Sequence, residues 1–482
     1  MKMIRVKVDA YYSIPGKLEV KVVIRNLSVE KIKIDGYRIW LYSETQQIKD
    51  DPKQLSRILQ PVGRTESEIV IPISYDTGLE IATRGKIRVF FDGMREETEF
   101  DVRPPSIVEV LEIQISEPRI ERIGGEEFRF YPTYIVMHPR RPLITDEVLM
   151  IPSKEIDRIL NRVKSDLISK IPGIKVGKEL VRGIGKTIYN ILNENLKLSD
   201  MLNSLNPKYL IFETSKAGWD IPLELMFDGQ EFLVIKYAVG RILRSTLASG
   251  KIDPKKFIKK RRGIKKIAAI FSYVDFEKKK PDEIDPKEII REMVKFFKGL
   301  KTKGIEVHSM EIQKMDEKTY TLLLSGDDMP KALDSSEVPS AVEEFLMAED
   351  YDLIYISAHG FRDGNIGEPY IKVTKTEHQL RASRIAKLNF EGKPIIILNA
   401  CLGGSALAES FLVAGARALI APIFEVDLTS AYVFTKELLK DDFLEGRKPI
   451  GKVLQEVKMK MKERIDIDWL TFILYGDPRL YP

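Results

Sequence analysis

The chain is almost without cysteine: Cys401 is the single one in 482 residues. One thiol excludes an internal disulfide framework and suits a reducing compartment. Long apolar runs are missing too, since no stretch approaches the roughly 20 residues that cross a bilayer. Met1 to Val8 alternate polar and apolar side chains, where a signal peptide would carry a continuous apolar core. These absences predict a cytoplasmic protein with no membrane contact. Charge of one sign is not in excess either. The 77 basic and 72 acidic side chains leave a net +5, which does not by itself point to nucleic acid. There is no repeat of the tetratricopeptide length, about 34 residues. Neither a metal nor a cofactor is expected.

What is present is enough chain for two to four domains. A charged fraction of 31%, rich in Lys and Glu, resembles proteins of hot environments and predicts thermostability. Residues 1–103 read as all-β. Ile4, Val6 and Val8 alternate with charged neighbours, as do Leu18, Val20 and Val22, and similar runs recur at 32–41, 68–73, 86–91 and 98–102. Pro15-Gly16, Asp35-Gly36, Thr77-Gly78 and Asp92-Gly93 supply turn signals between them. This spacing predicts an immunoglobulin-like β-sandwich, serving as an interaction domain. Arg103-Pro104-Pro105-Ser106 marks its boundary, because consecutive prolines join neither a ladder nor a helix interior.

Residues 107–262 read as a mixed α+β region. Strands are expected at 107–115, 128–137, 209–213, 232–237 and 239–243, and helices at 153–171 and 177–196. Gly183-Ile184-Gly185-Lys186-Thr187 imitates the end of a phosphate loop. The motif's first glycine is replaced by Leu180 and no strand precedes it, so an amphipathic helix is expected instead. The basic run from Lys255 to Lys266 lacks interleaved aromatics. It reads as a solvated linker, with a cleavable loop or a nucleic-acid contact as the other readings. Nucleic acid is not expected as a partner.

From residue 263 to 482 apolar strands and amphipathic helices alternate. Strands are expected at 267–273, 305–310, 351–360, 394–400, 418–423 and 472–475, with helices at 286–303, 336–348, 405–414, 427–439 and 449–462. Such alternation predicts a mostly parallel sheet covered by helices on both faces.

Two of these strands run out into reactive residues. Ser357-Ala358-His359-Gly360 ends one, and Leu398-Asn399-Ala400-Cys401-Leu402-Gly403-Gly404 ends the other. Ligands and chemistry collect at the carboxyl edge of open α/β sheets. A thiol before a helix N-terminus favours the thiolate, and an adjacent imidazole supplies acid or base. Gly360 would free a backbone N–H for an oxyanion. A buried inert thiol and a surface histidine are the bland alternatives, and adjacent strand ends with glycine after each favour a dyad.

These two motifs resemble those of CHAT-domain proteins, caspase-like cysteine peptidases related to caspases, metacaspases and separase. Ala414 to Ala418 with Ile423 to Asp427, Trp469 to Pro478, and Trp219-Asp220-Ile221-Pro222-Leu223-Glu224-Leu225 resemble further segments of that family. The resemblance runs from about Ser153 to Pro482. It implies a caspase-like catalytic domain at 263–482, with 107–262 as the N-terminal, pseudo-caspase-like part of the CHAT region. It also implies a regulated cysteine endopeptidase acting on protein or peptide substrates through His359 and Cys401, with the oxyanion held near Gly360. The residue two before the nucleophile lines the S1 pocket in such enzymes. Here it is neutral Asn399, with Glu425 and Asp427 as the acids that could reach the pocket; Asp427 also reads as a helix N-terminal acid. A regulatory protein partner is expected at the N-terminal β domain. The alternative is a catalytically silent signalling module whose sandwich binds a partner.

Overall fold

The computed structural model describes the chain except residues 1, 15–16, 29, 43–46, 61–66, 77–83, 104–108, 124, 139–142, 163–177, 215–220, 244–262, 277–283, 326–329, 363–367, 401–405, 424–425 and 464–467. The rest gathers into two compact units. One comprises residues 1–111, 135–145 and 197–208; the other comprises 112–134, 146–196 and 209–482.

The first unit is built on β1 (Ile4–Ile14), β2 (Lys17–Asn26), β3 (Ile32–Tyr42), β4 (Gln47–Leu59), β5 (Glu68–Asp76), β6 (Arg84–Phe91) and β7 (Met94–Arg103). Their order is β4-β3-β6-β7-β1-β2-β5. Neighbours are antiparallel, except that β1 and β7 pair in parallel at Ala10–Val102 and Tyr11–Arg103. Leu18, Val20, Val22 and Ile24 are buried while Lys21 and Arg25 are exposed, the two-residue period of a half-buried strand. They share one core with Ile34, Ile39, Leu41, Ile87 and Val89. The two strand groups therefore face each other as a sandwich, as expected. Each fully buried aliphatic side chain there contributes about 1.5–3 kcal/mol.

Asp92-Gly93 makes the expected turn, with φ of 43° and 74°, the geometry of a two-residue hairpin. Asp35-Gly36 does not. It is a bulge inside β3, where a Cβ on Gly36 would lie 2.5 Å from the Lys53 carbonyl oxygen. Pro15-Gly16, Thr77-Gly78 and the prolines at 104–105 lie outside the described residues.

The chain continues through β8 (Val110–Ile115), β9 (Arg119–Ile123), β10 (Glu126–His138), β11 (Leu143–Pro152), α1 (Ser153–Arg162), α2 (Lys178–Leu196), α3 (Leu198–Leu205), β12 (Tyr209–Thr214), α4 (Leu233–Lys236) and β13 (Ala238–Leu243). Next come β14 (Lys266–Ser272), α5 (Pro286–Gly299), β15 (Glu306–Lys314), β16 (Thr319–Leu324), β17 (Lys331–Asp334), α6 (Val338–Met347), β18 (Leu353–Ser357), β19 (His359–Arg362), β20 (Pro369–Lys372) and β21 (Leu380–Arg381). The chain ends with α7 (Ala382–Ile385), β22 (Ile395–Asn399), α8 (Ala406–Val413), β23 (Ala418–Pro422), α9 (Leu428–Leu438), α10 (Asp441–Leu444), α11 (Ile450–Lys462) and β24 (Phe472–Tyr475).

The large sheet of the second unit includes the order β12-β13-β24-β23-β22-β18-β14-β15-β16-β17. It is parallel from β12 to β24 and from β23 to β15. Within this order the β23–β24 pair and the β16 and β17 edge are antiparallel. Strands β18, β22 and β23 are buried at every residue, which is why they read as continuous apolar runs. On one face Phe271, Phe297 of α5 and Tyr355 form an aromatic group, with Phe297 and Tyr355 centroids 4.4 Å apart. On the other, Ile354, Ile356, Ile396 and Leu398 pack with Val342 of α6 and Leu407 and Phe411 of α8.

Two expected elements differ. Residues 232–237 were expected as a strand and form the short helix α4, with the Tyr237 N–H on the Leu233 carbonyl at 2.8 Å. Phe232 there is anchored edge-on to Trp469 at 5.8 Å; a short apolar run does not distinguish the two conformations by its periodicity. The run 351–360 is not one strand: β18 stops at Ser357, and His359 opens a separate sheet, β19-β20-β21. The phosphate-loop imitation lies inside α2 as helix. A Cβ on Gly185 would fall 2.0 Å from the Leu225 carbonyl oxygen, so that glycine serves packing.

Candidate active site

β18 and β22 lie side by side in register, Ser357 opposite Asn399. The Ala358 N–H extends the ladder by donating to the Asn399 carbonyl at 3.2 Å. The chain therefore leaves both strands at one level of the sheet's carboxyl edge. His359 follows two residues beyond Ser357, and Cys401 two residues beyond Asn399. Cys401 to Gly404 and Glu425 lie outside the described residues, as do Trp219, Asp220 and the basic run from Lys255 to Arg262.

His359 is half-buried and Gly360 buried. Both belong to the β19–β20 hairpin, where His359 stands opposite Lys372 and Gly360 opposite Ile371. The Phe276 ring stacks on the imidazole, centroids 3.9 Å apart and planes at 22°. The neighbouring Asp275 carboxylate bonds Lys372 and reaches Lys375 at 3.0 Å. Burial raises the Asp275 pKa, but the bonds from Lys372 and Lys375 outweigh it and leave the group below the ordinary carboxylate range. The Ser272 hydroxyl donates to the Lys372 carbonyl at 3.3 Å.

Asn399 is turned to the α5/α9 face and is 7% exposed. Its Nδ2 donates to the Tyr355 hydroxyl and Thr435 Oγ1, each at 2.9 Å, and to the Ala431 carbonyl at 3.4 Å. Its Oδ1 has no hydrogen-bond partner among the described residues. Burial pushes the Tyr355 phenol well above its ordinary range, so it stays a neutral hydroxyl. Asp427 caps α9, accepting from the Ser430 N–H at 3.1 Å, which is its helix-terminal reading. The structure thus sets Asn399 against Ala431 and Thr435 along α9, Asp427 at the N-terminus of that helix, and His359 on the hairpin. Sequence reasoning missed Asp275, Phe276, Tyr355, Thr435 and Lys372. Asp275 and Phe276 had one signal: they follow a buried strand at the sheet's carboxyl edge.

The profile of the CHAT domain matches residues 182–477, more than half of the chain. The chain belongs to the CHAT-domain family. Its CHAT domain has the caspase-like fold, a mostly parallel sheet between helical layers. Among solved structures it is similar to Saccharomyces cerevisiae separase in its complex with securin, at 10% identity and a TM-score of 0.43, over 77% of this chain and 30% of that one. It is also similar to a secreted cysteine protease of Bacteroides thetaiotaomicron, iotapain, at 13% identity and a TM-score of 0.24, over 38% of this chain and 59% of that one. The chain spans less than a third of the separase it matches. No curated protein matches it. Among the described residues no helix is long and apolar enough to cross a membrane.

One further motif residue, Glu224, belongs to the architecture of the sheet. Glu224 and Arg241, 3% and 1% exposed, pair through two bonds, of 2.9 and 2.5 Å. Arg241 also donates to the Ile221 carbonyl at 2.9 Å, and its own carbonyl accepts the Gly476 N–H at 2.7 Å. One arginine thus ties the Ile221 to Leu225 segment to β13 and the Tyr475 to Pro478 segment. Lys458 of α11 is buried beside this pair, and desolvation pushes its amine down to about 8 against the attraction of Glu224.

Proposed function

We propose that the CHAT domain is a cysteine endopeptidase acting through His359 and Cys401. The reading is carried by one observation: the β18–β22 register, continued by the Ala358–Asn399 bond, which ends the two motif strands side by side. The imidazole of His359 takes the Cys401 proton. The thiolate sulfur then attacks the scissile carbonyl carbon, and backbone N–H groups at Gly360 and Cys401 receive the oxyanion. The imidazolium returns its proton to the leaving amine as the C–N bond breaks, and water hydrolyses the thioester. Asn399, Glu425 and Asp427 are the proposed S1 residues; Asn399 offers an unpaired carbonyl oxygen and no charge. A protein or peptide is the proposed substrate, a regulatory protein the proposed partner of the N-terminal sandwich, and the single thiol supports a reducing compartment such as the cytoplasm.

A peptidyl acyloxymethyl ketone should label the wild-type chain at Cys401 and leave Cys401→Ala and His359→Ala unlabelled. A peptide library should then be cleaved with a defined P1 preference. If no peptide scaffold labels wild type under any activating condition, the domain is a silent signalling module.

A further inference from the structure

We propose that the turn after β14, Asp275-Phe276, is a positioning device for His359: Phe276 sets the plane of the imidazole, and Asp275 fixes the hairpin that carries it. The inference deepens the peptidase reading and rests on it. Phe276 is 9% exposed, and its ring lies nearly parallel to the imidazole at 3.9 Å. Both ring nitrogens lie in the imidazole plane, so a stack on the face limits rotation of the ring without covering its edge. The aromatic face also favours the imidazolium over the neutral ring, and thus the thiolate–imidazolium pair.

The clamp is held from the main sheet. Asp275 bonds Lys372 and Lys375, and Lys372 is the residue opposite His359 in the hairpin. Ser272, the last residue of β14, binds the carbonyl of the same Lys372. Asp275 takes a left-handed backbone, φ 63°, uncommon for a residue with a Cβ and most tolerated by Asp and Asn. A strained turn that puts its carboxylate on the hairpin and its next side chain on the imidazole is spent on orientation. Phe276 does not touch the reacting sulfur by this argument; it acts through His359.

Chloroacetamide alkylation of the full-length protein tests this without a substrate. Its one cysteine makes the mass increment unambiguous. The neutral reagent reports the thiolate fraction, which for an unassisted thiol rises around its ordinary pKa of about 8.5. Wild type should show a limb of fast alkylation at pH 6 that His359→Ala lacks. Phe276→Leu, which keeps apolar volume without a flat face, should slow the pH 6 rate about tenfold and match wild type above about pH 9. Phe276→Tyr should restore it, and Asp275→Asn should fall in the same direction. Circular dichroism melts verify that each variant is folded. A Phe276→Leu profile equal to wild type, or faster at pH 6, overturns the positioning role and leaves the dyad standing. If wild type and His359→Ala share one profile, the dyad is absent and both readings fall.

Discussion

Lys458 carries a cost that its surroundings only partly offset. It is 2% exposed, and its folded-state pKa near 8 lies below the ordinary lysine value of about 10.4. Between those two values the unfolded chain binds more protons than the folded one, so stability rises with pH across that window. Below about pH 8 the full cost of burying the ammonium is present, roughly 3 kcal/mol by this difference. Lys458→Met should therefore raise the melting temperature at pH 7, with the gain shrinking between about pH 8 and 10. A gain that stays constant over that range in paired melts would show that the lysine is not held charged. Asn399 presents the opposite case. Asn399→Ala removes the donor shared by Tyr355 and Thr435, and the loss should be about 1–3 kcal/mol by urea titration. At this scale the sequence was informative where a reactive type is rare: one cysteine and four histidines leave few candidates. Asp275 and Phe276 carried no signal beyond their place after a buried strand, because the role proposed for them depends on a left-handed turn and on a hairpin about a hundred residues away.

At the scale of elements, apolar runs that are buried on both sides were read with little error at β14, β22 and β23, which need no partner pattern to be recognised, whereas the run through β18 was read too long. Polar strands escaped. β4 carries Lys49, Asp50, Asp51, Pro52 and Lys53, and it forms the sheet edge, where proline and charge prevent further pairing. α4 was misread because four residues give no period to count. The motif Ile221 to Leu225 was read as a family mark, and its physical basis is the Glu224–Arg241 pair. Removing one member leaves an uncompensated buried charge. Arg241→Leu should cost about 3–5 kcal/mol in a urea titration, whereas breaking the exposed pair Arg447–Glu445 should leave the midpoint nearly unmoved. Equal losses would sink the architectural role given to Arg241.

For the whole molecule, charge is organised into networks. Lys266 bridges Glu306 and Glu349, Lys448 bridges Asp442 and Glu456, and Lys86 and Arg88 share Glu97. Such networks gain relative weight as temperature rises. We expect a melting temperature above about 65 °C that falls in 1 M sodium chloride, where the screening length shrinks to about 3 Å. Scanning calorimetry at low and high salt decides this, and a mesophilic melt indifferent to salt would refute it.

The last strand has a consequence for how the polypeptide could be divided. β24 pairs with β13 at Arg241–Tyr475 and with β23 at Leu419 to Pro422. Nearby, Gln455 of α11 donates to the Ile235 carbonyl at 2.7 Å, and Lys462 pairs with Glu231. The chain's terminus is thus stitched to strands and helices that precede residue 244. Two separately encoded fragments, 1–250 and 263–482, should find each other and co-purify when expressed together. Arg241→Leu in the first fragment should abolish their capture. The molecule would then be a ready-made complementation pair, its covalent continuity replaceable by the contacts of one strand end and one helix.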